Sequence, residues 1–215
     1  MLKPETQTPK PLLNLGEKTL IEKQVNWLAD HRFEKITLAV SKNLLGYIML
    51  RTDVYKKLKQ IKNTQIAMSI EDTELGTGGA LKKACQRIQR KTFYACNVDD
   101  LAFDYDPCRL LEEADSQIAV LVAKPTLPYG KVKIKNGYIK KFEEKPKLDY
   151  FVNAGHYAME KSTVLKYFPN EGDFEKLVLP RLARQNMLKG VEYHGTWITI
   201  DTFNDYLNAL SLFGT

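Results

Sequence analysis

The segment from Gln65 to Asp100 reads QIAMSIEDTELGTGGALKKACQRIQRKTFYACNVDD and has the pattern of a strand, a helix and a second strand. Its first six residues and the stretch Thr92–Cys96 are apolar runs too short for a helix, and Gly79–Gln89 between them has helical spacing. Strands joined through a crossover helix are typical of a parallel sheet. The segment therefore predicts an α/β fold.

The remainder of the chain repeats this alternation on both sides of the segment. Around Asn136-Gly137 apolar residues alternate with polar ones from Gly130 to Glu144, which predicts an antiparallel hairpin with a type I′ turn. No repeat or linker divides the 215 residues, so we expect one domain over residues 1–215 with a doubly wound, mostly parallel sheet and this hairpin as an insertion. The other predicted helices are Thr19–Arg32, Asn43–Gln60, Phe174–Asn186 and Thr202–Leu212, and the other predicted strands are Ile36–Val40, Gln117–Ala123, Val152–Met159 and Trp197–Ile200.

Composition and charge indicate which kinds of partner the protein is expected to bind. The chain has 32 Lys+Arg and 26 Asp+Glu, a net charge of +6, but the basic residues are interleaved with acidic ones and lack the clustered arginines and aromatics of a nucleic-acid groove. The longest apolar run, Ile118–Ala123, is too short to cross a bilayer. The three cysteines, Cys85, Cys96 and Cys108, have no metal-site spacing. We expect a cytosolic protein without nucleic-acid or membrane partners, with a homo-oligomer left open.

Glycines are concentrated in Glu74–Ala80, ELGTGGA, where the first strand leads into the helix. They would let the backbone come close to a planar or phosphorylated ligand at a helix N-terminus. The pattern matches neither G-x-x-x-x-G-K-[ST] nor G-x-G-x-x-G, so it lacks both standard phosphate-binding fingerprints. A ligand loop and an ordinary glycine turn both stay open on this pattern.

Carboxylates follow the strand Thr92–Cys96 in the sequence Asn97-Val98-Asp99-Asp100. Open α/β sheets bind ligands at the carboxyl ends of their strands, and Mg²⁺ needs only one or two protein carboxylates besides water and substrate phosphates. Asp201 follows the predicted strand Trp197–Ile200 and is the candidate partner of Asp99. Each aspartate alone is also compatible with a turn or a helix N-cap.

Two further segments carry polar groups among apolar ones. Phe142–Pro146, FEEKP, ends the hairpin with an acceptor and a cation, which suits either sugar and phosphate binding or a solvated turn. Phe151–Tyr157, FVNAGHY, places Asn and Gly inside an apolar strand, which indicates either a ligand close to the backbone or a bulge or packing glycine. His156 and His194 have no acid or nucleophile at a recognisable spacing, and we predict structural roles for both.

The motifs taken in order resemble the sugar-1-phosphate nucleotidyltransferase family over nearly the whole chain. That resemblance implies a Rossmann-like nucleotidyltransferase fold and a reaction that joins a nucleoside triphosphate to a sugar 1-phosphate, with Mg²⁺, and releases pyrophosphate. The matching motifs are TPKPLL (8–13), LGTGGA (75–80), NVD (97–99), YG (129–130), FEEKP (142–146), NAG (153–155) and WITIDT (197–202).

The resemblance also assigns roles to residues. It implies that Lys10 contacts phosphate oxygens of either substrate and that Asp99 and Asp201 share Mg²⁺, and these three are the candidate catalytic residues. It implies a nucleotide loop in which Gly76 lies against the base. The candidate nucleotide-binding residues are Gly76, Thr77 and Gly78, and the candidate sugar-binding residues are Gly130, Glu144, Lys145, Asn153 and Gly155.

The chain departs from the family pattern in three places. Members of the family have a buried strand and a G-x-G-T-R loop before the Pro-Lys-Pro segment, so we expect a domain that is N-terminally truncated relative to the family, with two strand edges unpaired. Val98 stands where the family usually has Gly, and Asp201 rather than Thr199 supplies the second carboxylate. These departures keep an alternative open, a catalytically inactive homologue that binds sugar phosphate or acts as a regulatory partner.

Overall fold

Helices and strands alternate along the chain in the computed structural model, which describes residues 8–114 and 117–214. A 3₁₀ turn spans Lys10–Leu12. The α-helices are α1 (Leu20–Asp30), α2 (Lys42–Leu50), α3 (Thr52–Lys59), α4 (Gly76–Cys85), α5 (Pro107–Glu112), α6 (Lys161–Tyr167), α7 (Phe174–Leu177), α8 (Leu179–Arg184) and α9 (Phe203–Phe213). The strands are β1 (Asn14–Leu15), β2 (Lys18–Thr19), β3 (Lys35–Ser41), β4 (Gln65–Glu71), β5 (Thr92–Cys96), β6 (Asp100–Leu101), β7 (Ile118–Ala123), β8 (Lys131–Lys135), β9 (Tyr138–Glu143), β10 (Val152–Glu160), β11 (Leu188–Tyr193) and β12 (Ile198–Thr199).

The main sheet has the strand order β11-β7-β10-β5 and carries helices on both faces. Along β7 the side chains alternate, so that Ile118 and Val120 pack with α4 and α6, whereas Ala119 and Leu121 pack with α5. This two-sided core confirms the doubly wound α/β prediction. Among residues 8–114 and 117–214, no helix is both long and apolar enough to span a bilayer.

The antiparallel part of the fold is larger than the sequence predicts. β7 and β11 are parallel, but β10 runs antiparallel to both of its neighbours, β7 and β5. The chain leaves β7, passes through the hairpin and returns as β10 beside β7, without a crossover helix. A return of this kind reverses the strand direction, because parallel neighbours need a crossover.

The hairpin itself forms as predicted. β8 and β9 pair antiparallel, and the turn residues Asn136 and Gly137 have φ of 52° and 78°. A type I′ turn requires positive φ at both central positions, which Asn and Gly tolerate best. The sequence pair Asn-Gly therefore determines this turn locally.

Two predicted helices are each split in two. Arg51, with φ −85° and ψ 71°, interrupts the predicted helix Asn43–Gln60 between α2 and α3. Val178, with φ −110° and ψ −53°, separates α7 from α8, and Pro180 in the first turn of α8 has no N–H to continue the ladder. The helices α5 and α6 and the strand β11 are elements that the sequence analysis did not predict.

The sheet is interrupted between β3 and β5. Within the described residues, β3 pairs only with β4, in parallel, and β5 pairs only with β10. A cleft of about 1370 Å³ lies between these two strands. The edges of β3 and β5 that face each other are therefore unpaired.

Candidate active site

Three residues from distant parts of the chain meet at one point. The Lys10 ammonium donates to Asp99 Oδ2 at 2.7 Å and to Asp201 Oδ1 at 3.2 Å. Lys10 is 89 positions from Asp99 and 191 from Asp201 along the sequence. The structure thus brings together the residues that the sequence analysis named as catalytic candidates.

Short backbone pairings hold the two aspartates at neighbouring strand ends. The two-residue strands β6 and β12 pair antiparallel, with Thr199 opposite Asp100, and the Ile200 N–H donates to the Asp99 carbonyl at 3.0 Å. Helix α9 then begins behind a capping box formed by Thr202 and Asp205. Asp201 lies between the end of β12 and the N-cap of α9, and these two elements fix the position of its carboxylate.

Lys10 remains a cation in this arrangement. Partial burial is the largest influence and lowers the pKa of Lys10, but the hydrogen bonds and charges of Asp99 and Asp201 together outweigh it and raise the pKa above its usual value. The ammonium is therefore positively charged at neutral pH. It partly neutralises the two carboxylates and is available to an anionic ligand.

The donor set fits a divalent cation. One nitrogen reaches oxygens of both Asp99 and Asp201, so the two carboxylates can approach a single positive centre. Asp201 is 67% exposed and Asp99 24% exposed, which leaves room for water or phosphate ligands. No cluster of three or more His, Cys, Asp or Glu residues suited to a metal occurs within 8–114 and 117–214. Mg²⁺ needs only one or two protein carboxylates, so two are sufficient.

Asp100 lies behind this cluster and is buried. Its Oδ2 accepts a hydrogen bond from Asn97 Nδ2 at 2.9 Å, and its backbone carbonyl accepts one from Gln24 Nε2 at 2.7 Å. Burial raises the pKa of Asp100 to about 7, the Asn97 hydrogen bond opposes this shift and the charge of Asp99 adds to it. Asp100 therefore anchors the turn that carries Asp99.

Gly155 on β10 packs directly against Asp100. Its φ is +74°, and a Cβ on this residue would lie 1.8 Å from Asp100 Oδ2. The Asn97 N–H donates to the Gly155 carbonyl at 2.9 Å. The sequence left open whether this glycine allows close approach of a ligand or of the protein itself. The structure shows that it packs against the protein, and the contact connects β10 to the turn carrying Asp99.

The side chains beside Gly155 are engaged within the protein. Asn153 Oδ1 accepts from the Gly155 N–H at 3.0 Å, and Asn153 Nδ2 donates to the Tyr157 hydroxyl at 2.5 Å. His156 is fully buried, with Nε2 3.0 Å from the Asp100 carbonyl and Nδ1 2.6 Å from the Tyr94 hydroxyl. Burial lowers the pKa of His156 to about 4, so the ring is neutral and has the structural role that the sequence analysis predicts.

The Asp100→Asn variant should lose more stability on acidification than the wild type. Burial raises the pKa of Asp100 from 3.8 to about 7, so this group stabilises the folded state less as pH rises through that window. Burial lowers the pKa of His156 from 6.5 to about 4, so this group stabilises the folded state more as pH rises. Between pH 4 and 6.5 the two effects oppose each other in the wild type, and the variant retains only that of His156.

Relative to the wild type, the free energy of unfolding of Asp100→Asn should therefore fall by about 1.4 kcal/mol more for each pH unit of acidification in this window. Urea unfolding at several pH values in EDTA measures it. Parallel pH profiles for the two proteins would contradict the assignment.

The glycine loop packs against another loop of the protein. Helix α4 begins at Gly76, three residues before the predicted start, so Gly76, Thr77 and Gly78 form its first turn. The Gly78 N–H donates to the Gly172 carbonyl at 2.9 Å, and a Cβ on Gly78 would lie 2.7 Å from the same oxygen. The Thr77 hydroxyl contacts the Glu175 carboxylate. Gly78 is thus a packing residue, and nucleotide binding at this loop stays a prediction.

The remaining candidates lie at the base of the hairpin. A Cβ on Gly130 would lie 3.1 Å from Glu144 Oε2 and 2.4 Å from the Phe142 ring, so Gly130 and Glu144 are neighbours. Lys145 is exposed and has φ of +45°. Within the described residues, no hydrogen bond or ion pair joins this group to the cluster of Lys10 and its aspartates.

Sequence reasoning gave no role to Gln24 or Asp100. Asp100 had a local signal, because it is the second of two aspartates directly after a strand. Gln24 had no clear local signal, because it is one of several polar residues of α1. Only the structure shows that it is 4% exposed and that it binds the carbonyl of Asp100, which is 76 positions further along the chain.

The chain belongs to the nucleotidyl transferase family, whose model, described as "Nucleotidyl transferase", matches residues 2–213. This confirms the resemblance found in the motifs. Mannose-1-phosphate guanyltransferase of Yarrowia lipolytica is 31% identical over 99% of this chain and 60% of its own length. The enzyme of the same name from Schizosaccharomyces pombe is 29% identical over 99% of this chain and 61% of its own length. The chain thus spans about 60% of the length of these curated relatives.

Solved structures support the fold. HddC from Yersinia pseudotuberculosis, in a crystal structure complexed with GMP-PN, superposes with a TM-score of 0.73 at 24% sequence identity. The match covers 96% of this chain and 90% of HddC. The nucleotidyltransferase fold expected from the sequence is therefore confirmed.

Proposed function

We propose that this protein transfers a nucleotidyl group from a nucleoside triphosphate to a sugar 1-phosphate and releases pyrophosphate, with Mg²⁺ as cofactor. The observation that carries this proposal is the convergence of Lys10, Asp99 and Asp201 at adjacent strand ends. Both substrates are polyanions, so their approach requires positive charge at the reacting phosphate. The Lys10 ammonium and a Mg²⁺ ion held by Asp99 and Asp201 would supply that charge side by side.

The chemistry needs no nucleophile from the protein. A phosphate oxygen of the sugar 1-phosphate forms a bond to the α-phosphorus, the bond from that phosphorus to the bridging oxygen breaks, and pyrophosphate leaves. Lys10 would bind phosphate oxygens, and Asp99 and Asp201 would hold Mg²⁺. When bound, the metal ion neutralises charge on the phosphates. The protein otherwise acts by positioning the two substrates in line.

We also propose which residues bind the nucleotide and the sugar phosphate. Thr77, exposed at the first turn of α4, and Gly76 beside it would contact the nucleotide. Glu144 and Lys145 are exposed at the hairpin base and would contact the sugar hydroxyls and the sugar phosphate, with Gly130 beside them. For Asn153 and Gly155 the support is the contact of Gly155 with Asp100, next to the cation site.

The names of the relatives direct the choice of substrates. The two relatives described above are named mannose-1-phosphate guanyltransferases, and HddC was crystallised with GMP-PN. We therefore propose GTP and mannose 1-phosphate as the first pair to assay. We also propose a cytosolic location, which is supported by the three cysteines that remain as free thiols.

The purified chain should release pyrophosphate when given Mg²⁺, a nucleoside triphosphate and a sugar 1-phosphate, and EDTA should stop the release. A coupled pyrophosphate assay over a panel of both substrates measures this. Lys10→Met should lower the rate by about 10²-fold, because it removes a cation at the phosphates. The exposed Lys42, ion-paired with Asp72, provides the matched control, and Lys42→Met should leave the rate unchanged.

Two outcomes would contradict the proposal. If calorimetry detected binding of sugar 1-phosphate but no substrate pair gave pyrophosphate, the inactive-homologue alternative would replace it. An unchanged rate in Lys10→Met would remove Lys10 from the site.

A further inference from the structure

The turn that carries Asp99 is held by a side chain from a distant helix. Gln24 lies on α1, 76 positions from Asp100, and its Nε2 donates to the Asp100 carbonyl at 2.7 Å. The same nitrogen lies 3.4 Å from the carbonyl oxygen of Asn97 and 3.5 Å from that of Val98. One amide group therefore contacts the backbone on both sides of Asp99.

The other contacts to carbonyls of this turn each hold a single point. The Asp99 carbonyl accepts from the Ile200 N–H at 3.0 Å, and the Asp100 carbonyl also lies 3.0 Å from His156 Nε2. Among the side chains that the structure describes, only that of Gln24 reaches the two carbonyls that precede Asp99. Gln24 is therefore the contact that spans the whole turn.

The chemistry of glutamine suits this position. Carbonyl oxygens only accept hydrogen bonds, so the NH₂ end of the Gln24 side chain faces them, and its two protons can serve more than one acceptor. A glutamate of the same length would present lone pairs to the carbonyls, and an asparagine is one methylene shorter. Glutamine thus combines the reach and the donor that the turn requires.

Helix α1 gives the Gln24 side chain a fixed base. A capping box begins the helix, and Gln24 is buried on it between Ile21 and Val25. Val98 of the turn packs against the hydrophobic core that contains Ile21 and Val25. The turn is thus held against α1 by an apolar contact as well as by the amide. A supporting side chain on a packed helix can position a site precisely.

From these contacts we propose that Gln24 is a positioning residue of the cation site, which sets the spacing of the Asp99 and Asp201 carboxylates by holding the turn 97–100. The inference rests on the proposed function, in which these carboxylates hold Mg²⁺. Both reach one positive centre, because the Lys10 ammonium contacts them at 2.7 Å and 3.2 Å. Asp201 precedes α9 on another part of the chain, so a shift of the turn would change this spacing directly.

Gln24→Met tests the proposal, because methionine keeps the length of the side chain and removes its N–H donor. Groups that orient metal ligands typically contribute roughly 10- to 100-fold to metal affinity, so the variant should bind Mn²⁺ more weakly by about that factor. Mn²⁺ replaces Mg²⁺ in the experiment because it also prefers carboxylate and water ligands and is paramagnetic. A proton-relaxation titration with Mn²⁺ alone measures the affinity, and urea unfolding shows that the variant is folded.

A double-variant cycle separates positioning from a general loss of stability. If Gln24 acts through Asp99, Gln24→Met should change Mn²⁺ affinity little in the Asp99→Asn background. Asn26→Leu is the matched control, since Asn26 is another amide of α1 and donates within the helix, to the Glu22 carbonyl at 2.6 Å. Its Mn²⁺ affinity should equal that of the wild type. Gln24→Asn, which is too short to reach the turn, should weaken binding as Gln24→Met does and replaces it if that variant does not fold.

Four results would overturn the proposal. These are no Mn²⁺ binding by the wild type, wild-type affinity in folded Gln24 variants, equal losses with and without the Asp99 carboxylate, and an equal loss in Asn26→Leu. Failure of the proposed function gives a different result. A coupled loss of Mn²⁺ affinity, with no pyrophosphate released from any substrate pair, would support positioning by Gln24 and reject nucleotidyl transfer. Pyrophosphate release with wild-type Mn²⁺ affinity in Gln24→Met would do the reverse.

Discussion

Replacing Asp99 with asparagine is expected to reduce Mg²⁺-dependent pyrophosphate release by at least about 10²-fold. The Asp99 carboxylate is the less exposed of the two that surround the Lys10 ammonium, and it accepts the shorter hydrogen bond, 2.7 Å. Asparagine keeps the shape of the side chain but removes its charge. The assay is initial rate against Mg²⁺ concentration, with urea unfolding as a check on folding.

Asp201→Asn should cause a comparable loss, because both carboxylates would hold the same ion. Asp72→Asn is the matched control, since Asp72 is exposed and ion-paired with Lys42 and Lys83, outside the candidate site. Its rate should equal that of the wild type. Wild-type turnover in Asp99→Asn or Asp201→Asn at saturating Mg²⁺ would show that the pair does not bind the catalytic ion.

Local signals were sufficient for much of the fold. The strand Thr92–Cys96 was predicted with its observed bounds, because the apolar run is too short for a helix and is followed directly by polar residues. Asn136-Gly137 predicted the hairpin turn because few other residues accept positive φ at both positions. The proximity of Asp99 and Asp201 followed from a general rule, that the carboxyl ends of strands form the binding edge of an α/β sheet.

Non-local contacts explain what the sequence did not predict. The direction of β10 depends on pairing with β5 and β7, which no local pattern encodes. The breaks at Arg51 and Val178 lie inside apparently continuous helical patterns. Pro180 is a local signal for the second break, and no local signal marks the first.

The functions of glycines were ambiguous for the same reason. A sequence shows that Gly78 or Gly155 permits close approach, but it does not show what approaches. In the structure the neighbours are a carbonyl of Gly172 and a carboxylate of Asp100. Contacts within the protein therefore account for both glycines, and ligand binding at either one needs separate experiments.

Gly155→Ala is expected to destabilise the protein by roughly 2–5 kcal/mol, the sum of left-handed backbone strain and overpacking. Gly155 has φ of +74°, and the added methyl would lie 1.8 Å from Asp100 Oδ2. Asp100 cannot move away freely, because Asn97 and Gln24 hold its carboxylate and its carbonyl. Urea unfolding measures the change in the free energy of unfolding.

Gly46→Ala is the matched control, with an expected effect of opposite sign. Gly46 lies inside α2, and nothing lies within 4 Å of a Cβ placed there. Alanine should therefore stabilise the helix by about 0.5–1 kcal/mol. The double variant Gly155→Ala with Asp100→Gly removes the clash but keeps the backbone strain, so it should recover part of the loss caused by Gly155→Ala alone. If Gly155→Ala cost no more than an average surface substitution, Gly155 and Asp100 would not form the tight contact that joins β10 to the turn of Asp99.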